Sequence, residues 1–245
     1  MQKTEKKERF KERFKVYKDV FEKSTIEALW KLITQGKIEG LESPLKVGKE
    51  SNIFSAITKE NERLAVKIHR IGASDFGKMF YYLSMDKHFK TKRSRRNVVL
   101  TWAKREYKNL VKAFEAGVAV PKPIAFYENV IVMDFIGEKN VNEKPIVAPL
   151  LKDFCEKPKE IFAQLLLELN TLYNKADLVH GDLSEYNILN FYGKPILIDL
   201  SHATTPNGSG SELFLRDVKN LCRFFNGFGL NLKENDVALK ITKKQ

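Results

Sequence analysis

The sequence predicts an α+β fold with two lobes, an antiparallel sheet in the first and mainly helices in the second. Short β-type runs lie within residues 45–71 and recur at 130–133, whereas helical periodicity marks 98–116, 160–175 and 212–225. Hydrophobic residues make up 43% of the 245 positions, enough for a packed core. We expect a helical extension over 1–44, a first lobe over 45–137 with a flexible basic loop at about 74–97, and a reduced second lobe over 138–245.

The composition indicates which partners and which cellular location to expect. Lys and Arg total 43 against 31 Asp and Glu, a net charge of +12, which favours an acidic partner. The apolar runs are too short to cross a membrane, and the charged residues 1–8 do not resemble a secretory signal. Cys155 and Cys222 show no metal-binding spacing, and a reducing cytoplasm is the simplest location.

The predicted elements follow in chain order. A helix over 17–36, with Ser24 as its N-cap, precedes strands at 53–57 and 64–68 that a hairpin connects. Residues 72–96 lack clean periodicity and are expected to form a mobile loop. The later elements are a helix at 98–116, a strand at 130–133, a helix at 160–175, short strands at 188–189 and 195–198, and a last helix at 212–225.

Two charged residues occupy unusual positions in these patterns. Glu106 falls on the apolar stripe of the 98–116 helix, where a carboxylate is costly unless a cation meets it. Strand alternation separates Lys67 from the apolar Val66 and Ile68. We therefore expect Lys67 and Glu106 to pair, although a lone strand Lys is more often a surface residue.

The strongest motif runs from His180 through Asp182 to Asn187, with Asp199 following at the end of a predicted strand. Protein kinases use the form H-x-D-x-x-x-x-N, in which the Asp orients the substrate hydroxyl while the Asn and a later Asp bind Mg²⁺. Asp and Asn often only cap turns. The kinase interpretation is favoured because Lys67 follows Ala65 and Val66 as in the V-A-I-K strand, and a glycine turn at Gly48 precedes it.

The residues after Asp199 depart from the pattern of ordinary protein kinases. Leu200, Ser201 and His202 follow Asp199, so no D-F-G motif is present, and no A-P-E motif follows. After Asp199 there are 46 residues, too few for the usual peptide-docking subdomain. We therefore expect a kinase-like fold whose second lobe lacks that subdomain.

These motifs, together with residues 198–201 and 213–218, resemble the RIO family of atypical protein kinases, over about residues 17–228. The chain is most similar to the Rio-one type, in an archaeal-like minimal form. Lys46 and Val47 stand where that type usually has Ser-Thr, and Ser51 and His202 replace its usual Ala and Gln.

The resemblance implies a serine/threonine kinase that binds ATP with Mg²⁺ (or Mn²⁺) and that autophosphorylates. Ser94, which is set among basic residues, is a candidate autophosphorylation site. It implies ATPase activity through an aspartyl-phosphate on Asp199, and a role in maturing the small ribosomal subunit and its RNA. The implied catalytic residues are Asp182 and Asp199, and the metal ligands are Asn187 and Asp199. The implied nucleotide-binding residues are Lys67, Glu106, Gly48, Lys49, Glu50, Ser51, the gatekeeper Met133, and the backbones of Asp134 and Ile136.

Other functions are compatible with the sequence. Small-molecule phosphotransferases of the aminoglycoside or choline kinase kind share an H-G-D loop but usually have a larger C-terminal part. The small kinase of the tRNA-modifying KEOPS complex has a similar length but lacks the loop at Gly48. A non-catalytic RNA-binding scaffold is disfavoured because all five residues that the kinase chemistry needs are present: Lys67, Glu106, Asp182, Asn187 and Asp199. Oligomeric state is not predicted.

Overall fold

A computed structural model describes residues 21–72, 75–85, 91–138 and 143–244. The first part of the predicted helical extension, residues 1–20, lies outside these ranges, as do residues 73–74 and 86–90 of the predicted basic loop.

The first lobe contains a five-stranded antiparallel sheet in the order β1-β2-β3-β5-β4. Val66 on β3 opposes Phe54 on β2 and Val132 on β5, so these side chains share one face and Lys67 belongs to the other. The strands are β1 (Gly40–Val47), β2 (Ser51–Ile57), β3 (Arg63–His69), β4 (Pro123–Tyr127) and β5 (Val130–Asp134).

Helix α1 (Lys23–Thr34) covers the apolar face of this sheet. Its buried Ala28, Leu29 and Leu32 join the core that contains Val66 and its neighbours. The helix begins after Glu22, so the predicted cap Ser24 lies inside its first turn.

Helix α2 (Phe76–Met85) corrects the expectation of a loop over 72–96. Met79 and Leu83 are buried against Val98 and Trp102 of helix α3 (Arg95–Glu115), which begins three residues earlier than predicted. Packing against α3 stabilises α2, since a ten-residue helix is marginal in isolation.

The second lobe surrounds a separate core, to which α3 contributes Leu110 and Ala113. A tight turn with positive φ at Tyr192 and Gly193 joins the short strands predicted at 188–189 and 195–198, which are β8 (Ile188–Phe191) and β9 (Lys194–Leu197). The helix predicted as the last, at 212–225, is α5 (Ser209–Asn226), and a further helix, α6 (Glu234–Thr242), follows it. The elements are β6 (Gly137–Glu138), β7 (Ile146–Val147), α4 (Pro158–Asn174), β8 (Ile188–Phe191), β9 (Lys194–Leu197), a 3₁₀ turn (Leu200–His202), α5 (Ser209–Asn226) and α6 (Glu234–Thr242).

Both cysteines are free thiols. Among the described residues, the helices are all too short or too polar to span a bilayer.

Candidate active site

A cleft of about 510 Å³ lies where the strands of the first lobe meet the β8–β9 region of the second. Its volume suits a nucleotide-sized ligand. Lys49 is exposed and lies outside its lining, unlike the other residues predicted for the phosphate loop. The predicted site residues that line the cleft are Gly48, Glu50, Ser51, Lys67, Glu106, Met133, Asp134, Ile136, Asn187 and Asp199.

The predicted ion pair lies at the back of this cleft. Lys67 Nζ is 2.7 Å from Glu106 Oε1 and 3.1 Å from Asp199 Oδ1. Lys67 and Glu106 are almost fully buried, whereas the Asp199 side chain keeps 40% exposure. One ammonium group therefore joins β3, α3 and the turn that follows β9.

The pKa values of this cluster follow from its charges. Burial by itself would lower the pKa of Lys67, but the carboxylates of Asp199 and Glu106 raise it above its usual range. Burial would raise the pKa of Asp199, yet Lys67 and a hydrogen bond from Ser201 hold it well below its usual range. Both groups are charged at neutral pH.

His69 is a further member of the cluster that the sequence prediction missed. Its Nε2 lies 2.9 Å from Glu106 Oε2, and its ring is buried. The backbone N–H of His69 donates to Asn129 O, and the Asn129 amide donates to His69 O. The available signal was its spacing of two residues from Lys67, which places both side chains on one face of β3.

The catalytic-loop motif folds so that its polar residues meet beside the cleft. Asn187 Nδ2 donates to the backbone oxygen of Asp182 at 2.8 Å and to its Oδ2 at 3.1 Å. The N–H of Ile198 donates to Asn187 O, and His180 Nε2 lies 3.0 Å from Ile198 O. The loop is thereby tied to the residue that precedes Asp199.

Asp217 on α5 holds the backbone on both sides of Asp182. Its two carboxylate oxygens accept hydrogen bonds from Gly181 N at 2.7 Å and from Leu183 N at 2.8 Å. Burial raises the pKa of Asp217, although these bonds oppose the shift. Gly181 has φ +78°, and a Cβ there would lie 2.6 Å from His202 O, so this position requires glycine. Sequence reasoning missed the role of Asp217, although it lies in the quoted 213–218 segment.

Asp199 itself has a left-handed backbone, with φ 62° and ψ 65°. Such a conformation is costly for a non-glycine residue and persists where neighbouring contacts enforce it. The Asn109 amide on α3 supplies them, because it donates to Leu200 O at 3.1 Å and to Ala203 O at 2.7 Å.

The turn between β1 and β2 has a defined shape. Gly48 N donates to Ser51 O, Arg70 Nη1 donates to Gly48 O, and Arg70 N donates to Glu50 O. A Cβ at Gly48 would approach Ser51 O to 3.0 Å, so the backbone is tight here. This turn forms one wall of the cleft.

The segment after β5 forms another wall of the cleft. Asp134 N donates to Lys122 O at 2.8 Å, and Ile136 O accepts from Ala148 N at 2.9 Å. The side chain of Met133 is partly buried beside them. These bonds fix the backbone for which the family resemblance implies contact with adenine.

Asn187 and Asp199 suit a hard divalent cation. Carboxylate and amide oxygens are the ligands that Mg²⁺ prefers, and nucleotide sites use one or two such groups with the phosphates. Because the Asn187 nitrogen faces Asp182, its amide oxygen is the atom suited to bind metal. Across the described residues, no group of three or more His, Cys, Asp or Glu side chains forms a site made by protein alone.

Ser94, the candidate autophosphorylation site, lies outside the cleft lining. It is the N-cap of α3, where its hydroxyl accepts a hydrogen bond from Asn97 N at 3.3 Å. The residue is exposed.

Comparison with known proteins identifies the family. Residues 52–238 match the model of the RIO domain. The chain belongs to the RIO family. It is 38% identical to the RIO-type serine/threonine-protein kinase Rio1 of Haloferax volcanii, over 89% of this chain and 74% of that protein. It is 34% identical to Rio1 of Methanocaldococcus jannaschii, over 98% of this chain and 82% of that protein.

A solved structure supports the fold. The Rio2 kinase–ADP/Mg²⁺–phosphoaspartate complex from Chaetomium thermophilum has a TM-score of 0.66 at 22% identity, covering 90% of this chain and 67% of that one. The prediction of an α+β, kinase-like fold is confirmed, as are the RIO family and the similarity to its Rio1 members. Membership of a family of serine/threonine kinases implies ATP and a divalent metal ion.

Proposed function

We propose that this RIO protein transfers the γ-phosphoryl group of ATP to a serine or threonine hydroxyl. The observation that carries the proposal is that Lys67, Asn187 and Asp199 line one cleft, with Lys67 and Asp199 3.1 Å apart, while Asp182 lies outside the lining and accepts two hydrogen bonds from Asn187. Phosphoryl transfer depends on positioning and on charge stabilisation, and these groups provide both.

Each group has a role in this proposal. The backbones of Asp134 and Ile136 receive adenine beside Met133, and Lys67, oriented by Glu106, binds phosphate oxygens. The turn of Gly48, Lys49, Glu50 and Ser51 covers the phosphates. Asp182 orients the acceptor hydroxyl and accepts its proton.

Asn187 and Asp199 would hold Mg²⁺ or Mn²⁺. The bound ion would neutralise and bridge the phosphates. The protein prepares this site by keeping Asp199 ionised through Lys67 and by turning the Asn187 amide oxygen away from Asp182.

Asp199 also suits a second reaction, ATP hydrolysis. Its carboxylate oxygen would attack the γ-phosphorus, the bond to the β-phosphate oxygen would break, and ADP would leave. Water would then hydrolyse the acyl phosphate and restore Asp199. Support comes from the ionised, 40% exposed carboxylate and from the phosphoaspartate in the fungal Rio2 complex.

Incubation with γ-labelled ATP and Mg²⁺ tests these reactions. We expect wild type to acquire label, Asp182→Asn to lose transfer to serine while still binding ATP, and Asp199→Ala to lose all label. Asp177→Asn, an exposed aspartate beside Lys112, is the matched control. Acid-stable label indicates phosphoserine, including Ser94, and hydroxylamine-labile label indicates phosphoaspartate. Absence of both label and ATP turnover would refute the proposal.

We also propose that the protein acts in the cytoplasm on the small ribosomal subunit during its maturation. The net charge of +12 suits a particle rich in RNA phosphate. The exposed segment of Lys92, Arg93, Arg95 and Arg96 contributes, although Arg96 Nη2 is 2.9 Å from Glu128 Oε2 and Arg95 donates to Gly72 O. Replacing the four by Gln should weaken binding to small-subunit RNA and reduce its salt dependence, and an unchanged salt slope would contradict this role.

A further inference from the structure

A second cavity, of about 190 Å³, lies between helices α2, α3 and α5. Tyr82 of α2, Arg105 of α3, Thr204, and Glu212 and Arg216 of α5 contribute to its walls. None of the residues that line it lines the cleft. It is too small for a nucleotide but accommodates one polar side chain.

The cavity lies directly against the backbone that leads to Asp182. Thr204 and Val179 exchange backbone hydrogen bonds at 2.8 and 3.1 Å. Arg216 Nη2 donates to Gly181 O, one residue before Asp182. A group bound here would therefore sit beside the residue that receives the acceptor hydroxyl.

The lining of the cavity favours an anion. Arg105 is buried, its Nη2 donates to Ala203 O at 3.2 Å, and its guanidinium lies 5.6 Å from the centre of the Trp102 ring. A guanidinium held in this way is already ordered and loses little freedom on binding. Arg216 adds a second positive charge, and Glu212 is the single acidic residue among those lining the cavity.

We propose that this cavity binds an anionic side chain, a carboxylate or a phosphate, of the polypeptide that receives phosphate from the kinase. The inference rests on the proposed kinase function and adds a substrate class to it. Guanidinium groups bind both anions through charge-assisted, bidentate hydrogen bonds.

Serine peptides that differ at one position test the cavity. A neutral Ala peptide is compared with Asp and phosphoserine peptides, with the charge placed in turn on each side of the acceptor serine. We expect kcat/KM to be about tenfold higher for the best acidic peptide than for its neutral partner. The Asp and phosphoserine arms show which anion fits.

Variants then locate the effect. Arg216→Gln should lower the acidic-to-neutral ratio of kcat/KM toward one, and Glu212→Gln should raise it. Arg216→Gln also removes the contact with Gly181 O, which would slow phosphorylation of both peptides. The ratio of their kcat/KM values still reports on binding in the cavity. Glu160→Gln, an exposed glutamate outside the cavity lining, is the matched control and should leave the ratio unchanged.

Two results separate this inference from the kinase function. Equal phosphorylation of neutral and acidic peptides, or a ratio unaffected by Arg216→Gln, would overturn the cavity assignment and leave the kinase in place. If no peptide is phosphorylated, fluorescence anisotropy of labelled peptides still tests the cavity. Tighter binding of acidic peptides by wild type than by Arg216→Gln supports it, and equal binding overturns it.

Discussion

Replacing Asp217 by Asn tests how the catalytic loop is positioned. The carboxylate accepts two hydrogen bonds, from Gly181 N at 2.7 Å and from Leu183 N at 2.8 Å. An amide of the same shape has one accepting oxygen, so its NH₂ group would face the second N–H. One buried donor then loses its partner, which costs about 1–3 kcal/mol of stability.

The larger effect is expected on catalysis. Gly181 and Leu183 flank Asp182, and a displacement of about 1 Å in a catalytic group lowers the rate about 100-fold. Asp217 does not line the ATP cleft, so ATP affinity should stay near that of wild type.

The assay measures kcat for peptide phosphorylation and the Kd of ATP for Asp217→Asn. Exposed Asp236 on α6, replaced in the same way, is the matched control. A kcat within about twofold of wild type would refute the positioning argument. Equal losses in kcat and ATP affinity would show general damage to the fold instead.

Three other predictions concern the same region. Glu106→Gln removes the negative charge that lies 2.7 Å from the buried Lys67 ammonium, so KM for ATP should rise at least tenfold and the free energy of unfolding should fall by about 3 kcal/mol; an unchanged KM would contradict the pairing. The folded pKa of Asp199 lies below its unfolded value of about 3.9, so its stabilisation is present above that pH and is lost as pH falls below it. At acid pH, Tm should therefore fall less steeply with decreasing pH in Asp199→Asn than in wild type. Equal slopes for the two proteins would contradict this expectation. Gly181→Ala should lower Tm and kcat, because its Cβ would lie 2.6 Å from His202 O, whereas Gly193→Ala, also at positive φ but with nothing within 4 Å, should disturb Tm less and kcat hardly at all.

The catalytic loop was predictable because its information is local. His180, Asp182 and Asn187 are fixed by spacing within eight residues, and the hairpin after them has a short turn signal. The Lys67–Glu106 contact spans 39 positions, yet it was also predictable. Glu106 broke the apolar stripe of its helix, Lys67 stood in the form of the V-A-I-K strand, and each residue supplied the partner that the other required.

The features that were missed depend on packing between distant segments. Asp217 bonds to residues 34 and 36 positions away, and nothing near α5 in sequence indicates this. Helix α2 has apolar residues at 76, 79, 80 and 83, but the stripe is short and lies next to a basic run that favoured a loop. Strand β1 contains Pro44, which weakens a strand prediction but is tolerated at a sheet edge.

The helix that was missed bears on the site, because it helps to hold the turn that carries Asp199. Tyr82 of α2 and Trp102 of α3 pack edge-on against the His202 ring, with centroids 4.8 and 5.0 Å away. Burial lowers the pKa of His202 to about 4, although Asp182 and Asp199 oppose the shift, so the ring is neutral at neutral pH. A neutral ring packs between two aromatic side chains without burying a charge. Helices α2 and α3 of the first lobe and the 3₁₀ turn of the second therefore share one apolar contact three residues from Asp199, and a displacement of α2 should shift the carboxylate that we propose binds metal.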